Sequence, residues 1–342
     1  MTMSPSFLRV KGTLLLNSDD QSLKRAAKII TSGGLVAFPT ETVYGLGASA
    51  FDAKAIKAIY EAKGRPQDNP LIVHLGSHGQ LAEITDNVPD AAYRLTEKFW
   101  PGSLSLVLKR AENIPGEASA GLSTVAVRMP DHRAAIDLIN ISGVPIAAPS
   151  ANRSGKPSPT SFRHVLEDMA GRIDAVIKSG DCAVGVESTV LDLTQETPVI
   201  LRPGGVSKEE LEETLGSPVV VAGIKGSPDS PASPGMKYRH YSPQAPLILI
   251  TGPEARRRRV INLLSAFYRQ QGLKVGFLNA YIERDFPQSI EQEHVAMKLY
   301  RVLREMDQRK MDLILAEETA ETGLGLAIMN RLRKAATRVL KA

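Results

Sequence analysis

The feature that most constrains the fold of this 342-residue chain is a proline-rich stretch that divides it into two unequal parts. Residues 217–246 contain several Gly and Ser residues together with Pro218, Pro228, Pro231, Pro234, Pro243 and Pro246. Because proline has no amide hydrogen and a fixed φ, helices and strand interiors are not expected in this stretch. The sequence therefore predicts a first domain over 1–216, a linker over 217–246 and a second domain over 247–342.

The first part alternates short apolar runs with amphipathic runs. Helices are expected over 20–32 and 53–63, where apolar residues recur at helical spacing. Short apolar runs predict strands over 35–38, 71–75, 104–108, 124–127, 144–148, 175–178, 188–193 and 199–201. Because strands outnumber the interspersed helices, the pattern predicts an α/β domain around a mixed, twisted sheet.

The second part alternates strands and helices more regularly. The expected strands are 247–250, 274–278 and 313–316, and the expected helices are 254–271, 290–309 and 326–342. This order predicts a small parallel α/β sheet with right-handed crossovers. No GxGxxG motif follows its first strand, so nothing supports a dinucleotide site there. The arginine run at 256–259 is expected to form a solvated helix face.

Composition narrows the class of protein and its partners. The net charge of +5 favours anionic partners such as nucleotides or nucleic acid. The single cysteine, Cys182, excludes a disulfide framework, and the histidines lack zinc-site spacing, so no metal site of the protein's own is expected. There is neither a membrane-length apolar run nor a signal peptide's apolar centre. We therefore expect a cytoplasmic protein without a membrane partner.

The segment that begins at Lys63 and ends at His74 has the composition of a polyanion site. Two cations, an amide and an imidazole lie on a proline-bracketed loop that leads into a short strand, which is how charged donors are usually held rigidly. Each residue also has an ordinary interpretation. Cations complement the dipole at a helix C-terminus, and a lone histidine is often a satisfied core residue. The proline after Arg65 favours the binding interpretation, because it holds that arginine in an extended conformation.

Arg128 closes an otherwise apolar strand, a position that is costly unless the guanidinium is paired. Its partner is expected to be Glu41, Glu187 or Asp131, or else the carboxylate of a substrate. The chain has no GxxxxGK[ST] motif, so ATP binding must use a scaffold other than a P-loop.

Polar motifs recur along the chain as PTETVYGLG (39–47), KGRP-x-x-NPL (63–71), STVAVRMP (123–130), APSAN-x-SG (147–155), ESTVLD (187–192), LRPG (201–204) and SPGMKYRHYSP (233–243). Together they resemble the long, two-domain form of the threonylcarbamoyl-AMP synthases over essentially the whole chain. The resemblance implies a YrdC-like domain with a mixed twisted sheet, followed by a small Rossmann-like parallel α/β domain.

The same resemblance implies a reaction. L-Threonine, bicarbonate and ATP, with Mg²⁺, would give L-threonylcarbamoyl-adenylate and pyrophosphate. This nucleotidyl transfer would supply the activated donor for threonylcarbamoyl-adenosine modification of tRNA, and the downstream transfer machinery would be separate. No covalent protein nucleophile is needed, so catalysis would rest on positioning the substrates and neutralising phosphate charge.

Residue roles follow from the resemblance. It implies L-threonine contacts from Thr42, His74, Arg128 and Ser188, and catalytic roles for Lys63 and Arg65. It implies ATP contacts from Arg65, Asn69, Thr124, Ala148, Ser150, Asn152, Ser158, Arg202, Tyr238, Arg239 and His240. Ala148 would act only through its backbone. We also expect the segment 233–243 to fold over the nucleotide, because a closed cavity protects a short-lived carbamate from water.

Two other functions stay open on the sequence. One is a double-stranded RNA or tRNA-binding module that uses the basic surface, with weak RNA binding as a lesser form of it. Aromatic residues make up only 5% of the chain and show no stacking pattern, which favours the enzyme. The other is carbamoyl transfer to a different acceptor through the same adenylate chemistry.

Overall fold

The fold is taken from a computed structural model, which describes residues 8–223, 241–283, 285 and 291–342. The strands are β1 Arg9–Val10, β2 Thr13–Leu16, β3 Val36–Phe38, β4 Gly45–Ser49, β5 Ile72–His74, β6 Leu104–Lys109, β7 Thr124–Arg128, β8 Ile146–Ala148, β9 Ala175–Ile177, β10 Thr189–Asp192, β11 Val199–Arg202, β12 Val220–Val221, β13 Leu247–Thr251, β14 Val275–Phe277, β15 Leu313–Glu317 and β16 Arg338–Lys341. The helices are α1 Asp20–Thr31, α2 Ala53–Lys63, α3 Leu81–Ile84, α4 Asp90–Phe99, α5 Gly116–Ser119, α6 Arg133–Ser142, α7 Phe162–Met169, α8 Lys208–Leu215, α9 Glu254–Gln270, α10 Leu278–Glu283, α11 Gln292–Gln308 and α12 Gly325–Ala335.

A large mixed sheet dominates the first part of the chain, which confirms the predicted fold class. In the described residues its order is β1-β2-β9-β3-β4-β8-β5-β7-β6-β10-β11-β12. The central strand β5 is parallel to β7 and antiparallel to β8, so His74 lies opposite Arg128 on one side and Ile146 on the other. Residues from distant parts of the sequence therefore meet on adjacent strands. Val220 and Val221, from the predicted linker, add β12 to the sheet edge.

Helix α2 determines where the KGRP segment lies. The Asp52 side chain accepts hydrogen bonds from the amides of Lys54 and Ala55, which caps the helix N-terminus. The helix ends at Gly64, which adopts the left-handed conformation with φ of 63°, a common helix stop. Arg65 therefore leaves the helix axis and enters the loop that leads to β5.

The second sheet has the order β14-β15-β13-β16, and every neighbouring pair is parallel. The prediction of a helix over 326–342 is wrong, because α12 ends at Ala335 and β16 pairs in parallel with β13. The chain turns extended at Ala336, and Thr337 donates its amide to the Leu247 carbonyl at 2.8 Å. Strand pairing along the open edge of β13 outweighs the helical propensity of the basic tail.

The two sheets are connected by a shared core. Val43 and Val186 from the first part are buried in the same hydrophobic cluster as Leu299 and Tyr300 of α11. Within the described residues, no helix is both long enough and apolar enough to cross a membrane.

Candidate functional site

A cleft of about 670 Å³, a volume that includes the open solvent at its mouth, lies where the loops after α2, β3 and β8 meet the segment that precedes β10. It brings together the following predicted site residues: Thr42, Arg65, His74, Arg128, Ala148, Ser150, Asn152, Ser158, Ser188 and Arg202. These positions are spread over 160 residues of sequence and converge because the strands that carry them are neighbours in the sheet. Lys63, Asn69 and Thr124 do not line the cleft.

Arg128 is held on several sides. Its Nε donates to the Gly102 carbonyl at 2.9 Å, one terminal nitrogen donates to Thr42 Oγ1 at 2.9 Å, and the other donates to the Glu41 carboxylate. Of the three expected carboxylate partners, the structure selects Glu41. Each terminal nitrogen still has one N–H without a partner among the described residues. A paired guanidinium with two spare donors is suited to receive a ligand carboxylate.

His74 is a neutral neighbour of this guanidinium. Burial and the Arg128 charge lower the pKa of His74 to about 3. Its Nδ1 lies 3.0 Å from the Ile72 carbonyl, which can only accept, so Nδ1 carries the proton. His74 therefore offers polar contact without adding a second positive charge beside Arg128.

Arg65 differs from Arg128 in that no carboxylate of the described residues is bonded to it. One terminal nitrogen donates to the Asn69 and Pro70 carbonyls at 3.1 and 3.3 Å, and no ion pair joins Arg65 to any described carboxylate. Its Nε is buried without a partner among the described residues. Burial lowers the pKa of Arg65 to about 10, so it stays charged at neutral pH. A cation with unused donors on a cleft wall favours an anionic ligand.

Arg202 links the two sets of predicted residues. Its Nε and one terminal nitrogen donate to the Ser188 carbonyl at 3.2 and 2.9 Å, and the terminal nitrogen also reaches Ser188 Oγ at 3.1 Å. Ser188 is in the predicted threonine set and Arg202 in the predicted ATP set. The two sets are therefore contiguous in the cleft.

The remaining polar wall consists of hydroxyls that are oriented by fixed acceptors. Ser158 Oγ donates to Glu187 Oε1 at 2.6 Å, and Ser150 Oγ donates to Asn152 Oδ1 at 2.5 Å. Burial would raise the pKa of Glu187, but the Arg331 and Arg202 charges and the Ser158 hydroxyl lower it to about 2. Glu187 is therefore ionised and acts only as an acceptor.

Lys63 does not line the cleft but binds the backbone of residues that do. Its ammonium donates to the Ser150 carbonyl and, at 2.6 Å, to the Asn152 carbonyl, and burial lowers its pKa well below the ordinary value. These contacts hold the 150–152 turn in place. The predicted catalytic role of Lys63 remains a prediction.

Asn69 and Thr124 also stand apart from the cleft wall. The Asn69 carbonyl accepts from Tyr60 at 3.1 Å and from Arg65, so Asn69 shapes the Arg65 loop. Thr124 begins β7 opposite Lys109 of β6. Their predicted ATP contacts remain predictions.

The linker residues Tyr238, Arg239 and His240 lie outside the described residues, so their predicted ATP contacts also remain predictions. The next residue, Tyr241, is described. It lines the cleft with φ of 63° and stacks on Tyr300 at 5.4 Å between ring centroids.

Among the residues of the cleft wall that sequence reasoning missed are Lys156, Glu187 and Tyr241. Lys156 directly follows the APSAN-x-SG motif, and Tyr241 lies inside the SPGMKYRHYSP motif, so motif proximity was an available signal for both. Glu187 opens the ESTVLD motif, but it was considered only as a partner of Arg128. Lys156 pairs with Asp168 at 2.7 Å.

The donor set of the cleft does not form a cage for a metal ion of the protein's own. Among the described residues, no group of at least three His, Cys, Asp or Glu side chains is arranged to hold one. The cleft-lining carboxylate of Glu187 is occupied by protein donors. A divalent cation would fit this cleft as the companion of a bound polyphosphate.

Two family models match consecutive parts of the chain. Sua5_yciO_yrdC, described as "Telomere recombination", matches residues 28–204, and Sua5_C, described as "Threonylcarbamoyl-AMP synthase, C-terminal domain", matches residues 206–337. The fold and the cleft thus define a class of protein in which a YrdC-type domain with the cleft precedes a Sua5 C-terminal domain.

Curated relatives and a solved structure narrow the class. The chain is 50% identical to a threonylcarbamoyl-AMP synthase of Pyrococcus abyssi (93% of this chain, 94% of the relative) and 47% identical to one of Bacillus subtilis (94% of each). It is also similar to the crystal structure of P. abyssi Sua5 complexed with L-threonine, with a TM-score of 0.89, 47% identity, and coverage of 96% of this chain and 100% of that one. The chain belongs to the threonylcarbamoyl-AMP synthase family.

Proposed function

We propose that this cleft synthesises L-threonylcarbamoyl-adenylate from L-threonine, bicarbonate and ATP, with release of pyrophosphate. The observation that carries the proposal is the pairing of two unlike arginines in one cleft. Arg128 is neutralised by Glu41 and keeps two spare donors, whereas Arg65 is charged and has no ion-pair partner among the described residues. One suits a small carboxylate and the other suits phosphates.

The threonine subsite would consist of Thr42, His74, Arg128 and Ser188, all of which line the cleft. Arg128 would bind the carboxylate through its two spare N–H groups. The relative solved with L-threonine supports this substrate.

The ATP subsite would consist of Arg65, Ser150, Asn152, Ser158 and Arg202, with the backbone of Ala148. Arg65 and Arg202 would lie against the phosphates, and Mg²⁺ would arrive with ATP.

The reaction requires two bond-forming steps and no protein nucleophile. The threonine nitrogen attacks the carbon of CO₂ and loses a proton, which gives a carbamate; if bicarbonate is attacked directly, its C–O bond to the hydroxyl breaks and a water molecule also leaves. A carbamate oxygen then attacks the α-phosphorus of ATP, and the bond to the β-phosphate oxygen breaks to release pyrophosphate. Fixed cations stabilise the charge that moves onto the leaving group. In a cytoplasmic setting, the product would pass to a separate tRNA-modifying enzyme.

The test is a reconstitution with ATP, Mg²⁺, L-threonine and labelled bicarbonate. We expect pyrophosphate release that depends on both threonine and bicarbonate, together with a labelled threonylcarbamoyl-adenylate found by mass spectrometry. L-Serine, which lacks the side-chain methyl, is the matched control substrate. Pyrophosphate release at the same rate with and without threonine would contradict the proposal, and so would RNA binding without adenylate formation.

A further inference from the structure

Two side chains of the second domain reach the wall of the cleft. Tyr300 of α11 donates its hydroxyl to Glu187 at 2.8 Å from Oε2 and 3.1 Å from Oε1. Arg331 of α12 donates its Nε to Glu187 Oε2 at 3.0 Å. All three residues are at most 6% exposed, so water does not screen these contacts.

Glu187 connects these two residues of the second domain to the cleft, because its carboxylate also binds a cleft residue. With Tyr300 and Arg331 on one side of the carboxylate, Ser158 donates its only hydroxyl hydrogen to Oε1 at 2.6 Å. Ser158 Oγ can then offer only lone pairs to the cleft. It is set to accept from a ligand donor, such as a ribose hydroxyl or the amino group of adenine, and it would repel a phosphate oxygen.

Arg331 makes a second contact with the cleft wall. One of its terminal nitrogens donates to the carbonyl of Pro203, the residue directly after Arg202. Its guanidinium also lies 5.5 Å from the centre of the Tyr241 ring, which lines the cleft. A single side chain of α12 therefore touches the supports of three cleft residues: Ser158, Arg202 and Tyr241.

The second domain approaches the cleft wall closely. Gly185, two residues before Glu187, has φ of 78°, and a Cβ built there would lie 2.4 Å from the Met297 Cα of α11. Arg304 of the same helix pairs with Asp168 at 2.7 Å, and Asp168 holds the cleft residue Lys156. The second domain thus supports the cleft at two separate points.

We infer that Tyr300 and Arg331 are positioning residues of the nucleotide subsite, acting through Glu187 to fix Ser158 as an acceptor for the nucleoside. This inference rests on the proposed function. A purely structural buried ion pair is the alternative, since such pairs add little net stability and are often replaceable. The two accounts differ in kinetics, because a positioning role predicts a selective loss for ATP.

Tyr300→Phe is the mildest test, because it removes one hydroxyl and keeps the ring. The matched control is Tyr268→Phe, on the second-domain helix α9 and away from the cleft. We expect Tyr300→Phe to raise KM for ATP by at least about tenfold, the lower end of what one hydrogen bond to a charged group contributes, and to leave KM for threonine within about twofold. An equal effect on both substrates, or none, would overturn the inference.

Arg331→Met tests the charge, with Arg333→Met as its control on the same helix. Arg333 pairs with Glu321 at the surface and does not contact the cleft. We expect kcat/KM for ATP to fall at least about 30-fold in Arg331→Met, with partial rescue by Arg331→Lys. When Glu187 is already changed to Gln, Arg331→Met should lower kcat/KM for ATP little further, because Arg331 acts on Ser158 only through the Glu187 carboxylate. Additive losses would contradict that route.

A pH profile separates positioning from general stability, and it also covers the case in which Arg331→Met folds poorly. The charged and titratable groups that face Glu187 are Arg331 and Lys334 of α12, Tyr300 of α11, Arg202 of β11 and Tyr241. Without Arg331, Glu187 should protonate at a higher pH. The acidic limb of kcat/KM for ATP should therefore shift upward most in Arg331→Met, less in Arg331→Lys, which keeps the charge but loses the planar donor pair, and not at all in Arg333→Met. An unmoved limb would contradict the inference.

These measurements distinguish the inference from the proposed function. If the unaltered chain lacks threonine-dependent pyrophosphate release, the proposed function fails on the parent protein alone. The dissociation constant for ATP in Tyr300→Phe and Tyr268→Phe, measured by calorimetry, still tests the positioning role. Equal constants in both variants would overturn it.

Discussion

The Arg128 corner and the Arg65 corner of the cleft use the same side chain in opposite ways. Arg128 is 3% exposed and bonded to a carboxylate, a hydroxyl and a carbonyl. Arg65 is partly exposed and bonded only to two carbonyls, with its Nε unpartnered among the described residues. Within the described residues, one guanidinium is therefore fixed in advance by an ion pair, whereas the other is bonded to no carboxylate.

The difference shows how one cleft can distinguish two anionic substrates. A neutralised, rigid arginine selects by geometry, because its spare donors point in one plane and match a carboxylate. An uncompensated arginine selects by charge and suits phosphates, whose negative charge grows as pyrophosphate leaves. The neighbours of the two arginines differ in the same way. His74, beside Arg128, is neutral, whereas Arg202, on the nucleotide side of the cleft near Glu187, is charged.

Removing the uncompensated charge should have the largest effect. We expect Arg65→Ala to lower kcat/KM for ATP by about 100-fold to 1000-fold, since an electrostatic group aimed at a developing charge is lost. KM for threonine should change little. Arg172→Ala, which removes an exposed arginine of the same domain, serves as the control in steady-state kinetics. Near-normal turnover of Arg65→Ala would remove it from the ATP subsite.

Arg128→Lys tests the geometric arginine. A lysine ammonium keeps the charge but cannot present two coplanar donors, so KM for threonine should rise roughly tenfold to 100-fold and KM for ATP much less. Circular dichroism should show an intact fold before the kinetics are compared. Equal losses for both substrates would make Arg128 only a structural partner of Glu41.

Gly185→Ala tests the contact between the first domain and helix α11 of the second domain, without altering Arg65 or Arg128. The new methyl group would meet the α11 backbone and would also sit at a strained positive φ. We expect a loss of about 2–4 kcal/mol in unfolding free energy and a raised KM for ATP, since α11 carries Tyr300. Gly143→Ala, at φ of 68° with open space, should lose about 1 kcal/mol and keep its kinetics. Matching results in the two variants would contradict the close interface.

The last variant concerns His74 and acid stability and should leave the kinetics at neutral pH least changed. The His74 pKa of about 3 in the folded protein lies below the ordinary value of 6.5, so the unfolded chain binds one more proton between these limits. Stability is therefore lost as pH falls below 6.5, by about 1.4 kcal/mol per pH unit from this residue. Urea unfolding between pH 6.5 and 4 gives the unfolding free energy at each pH. This free energy should fall less steeply with decreasing pH in His74→Asn than in the control His78→Asn, which changes an exposed histidine. Identical slopes would contradict the burial of a neutral His74.

Site residues could be predicted from the sequence where the residues next to them in the chain determine their environment. Arg65 before a proline and Arg128 at the end of an apolar strand are positions whose cost or rigidity can be read from their neighbours. Both line the cleft, as expected. Lys63 looked equally suitable, but a motif does not show whether an ammonium faces a ligand or a carbonyl, and here it faces the 150–152 turn.

What the sequence could not predict depends on contacts between distant segments. Nothing near Glu187 indicates that Tyr300 and Arg331 close over it, because no local period encodes a contact more than a hundred residues away. Similarly, β16 forms because β13 offers an open edge, which the tail alone does not reveal. The glycine-rich strand β4 follows the same rule, since Gly47 is required by Phe38 and Ile146 packed against it.

The most direct measurement is a crystal structure with L-threonine and a non-hydrolysable ATP analogue. We expect a phosphate oxygen about 3 Å from the Arg65 guanidinium and the threonine carboxylate at the same distance from the two spare donors of Arg128. We also expect a nucleoside donor against Ser158 Oγ. Phosphates at Arg128, or threonine at Arg65, would contradict the division of the cleft between a paired and an unpaired arginine.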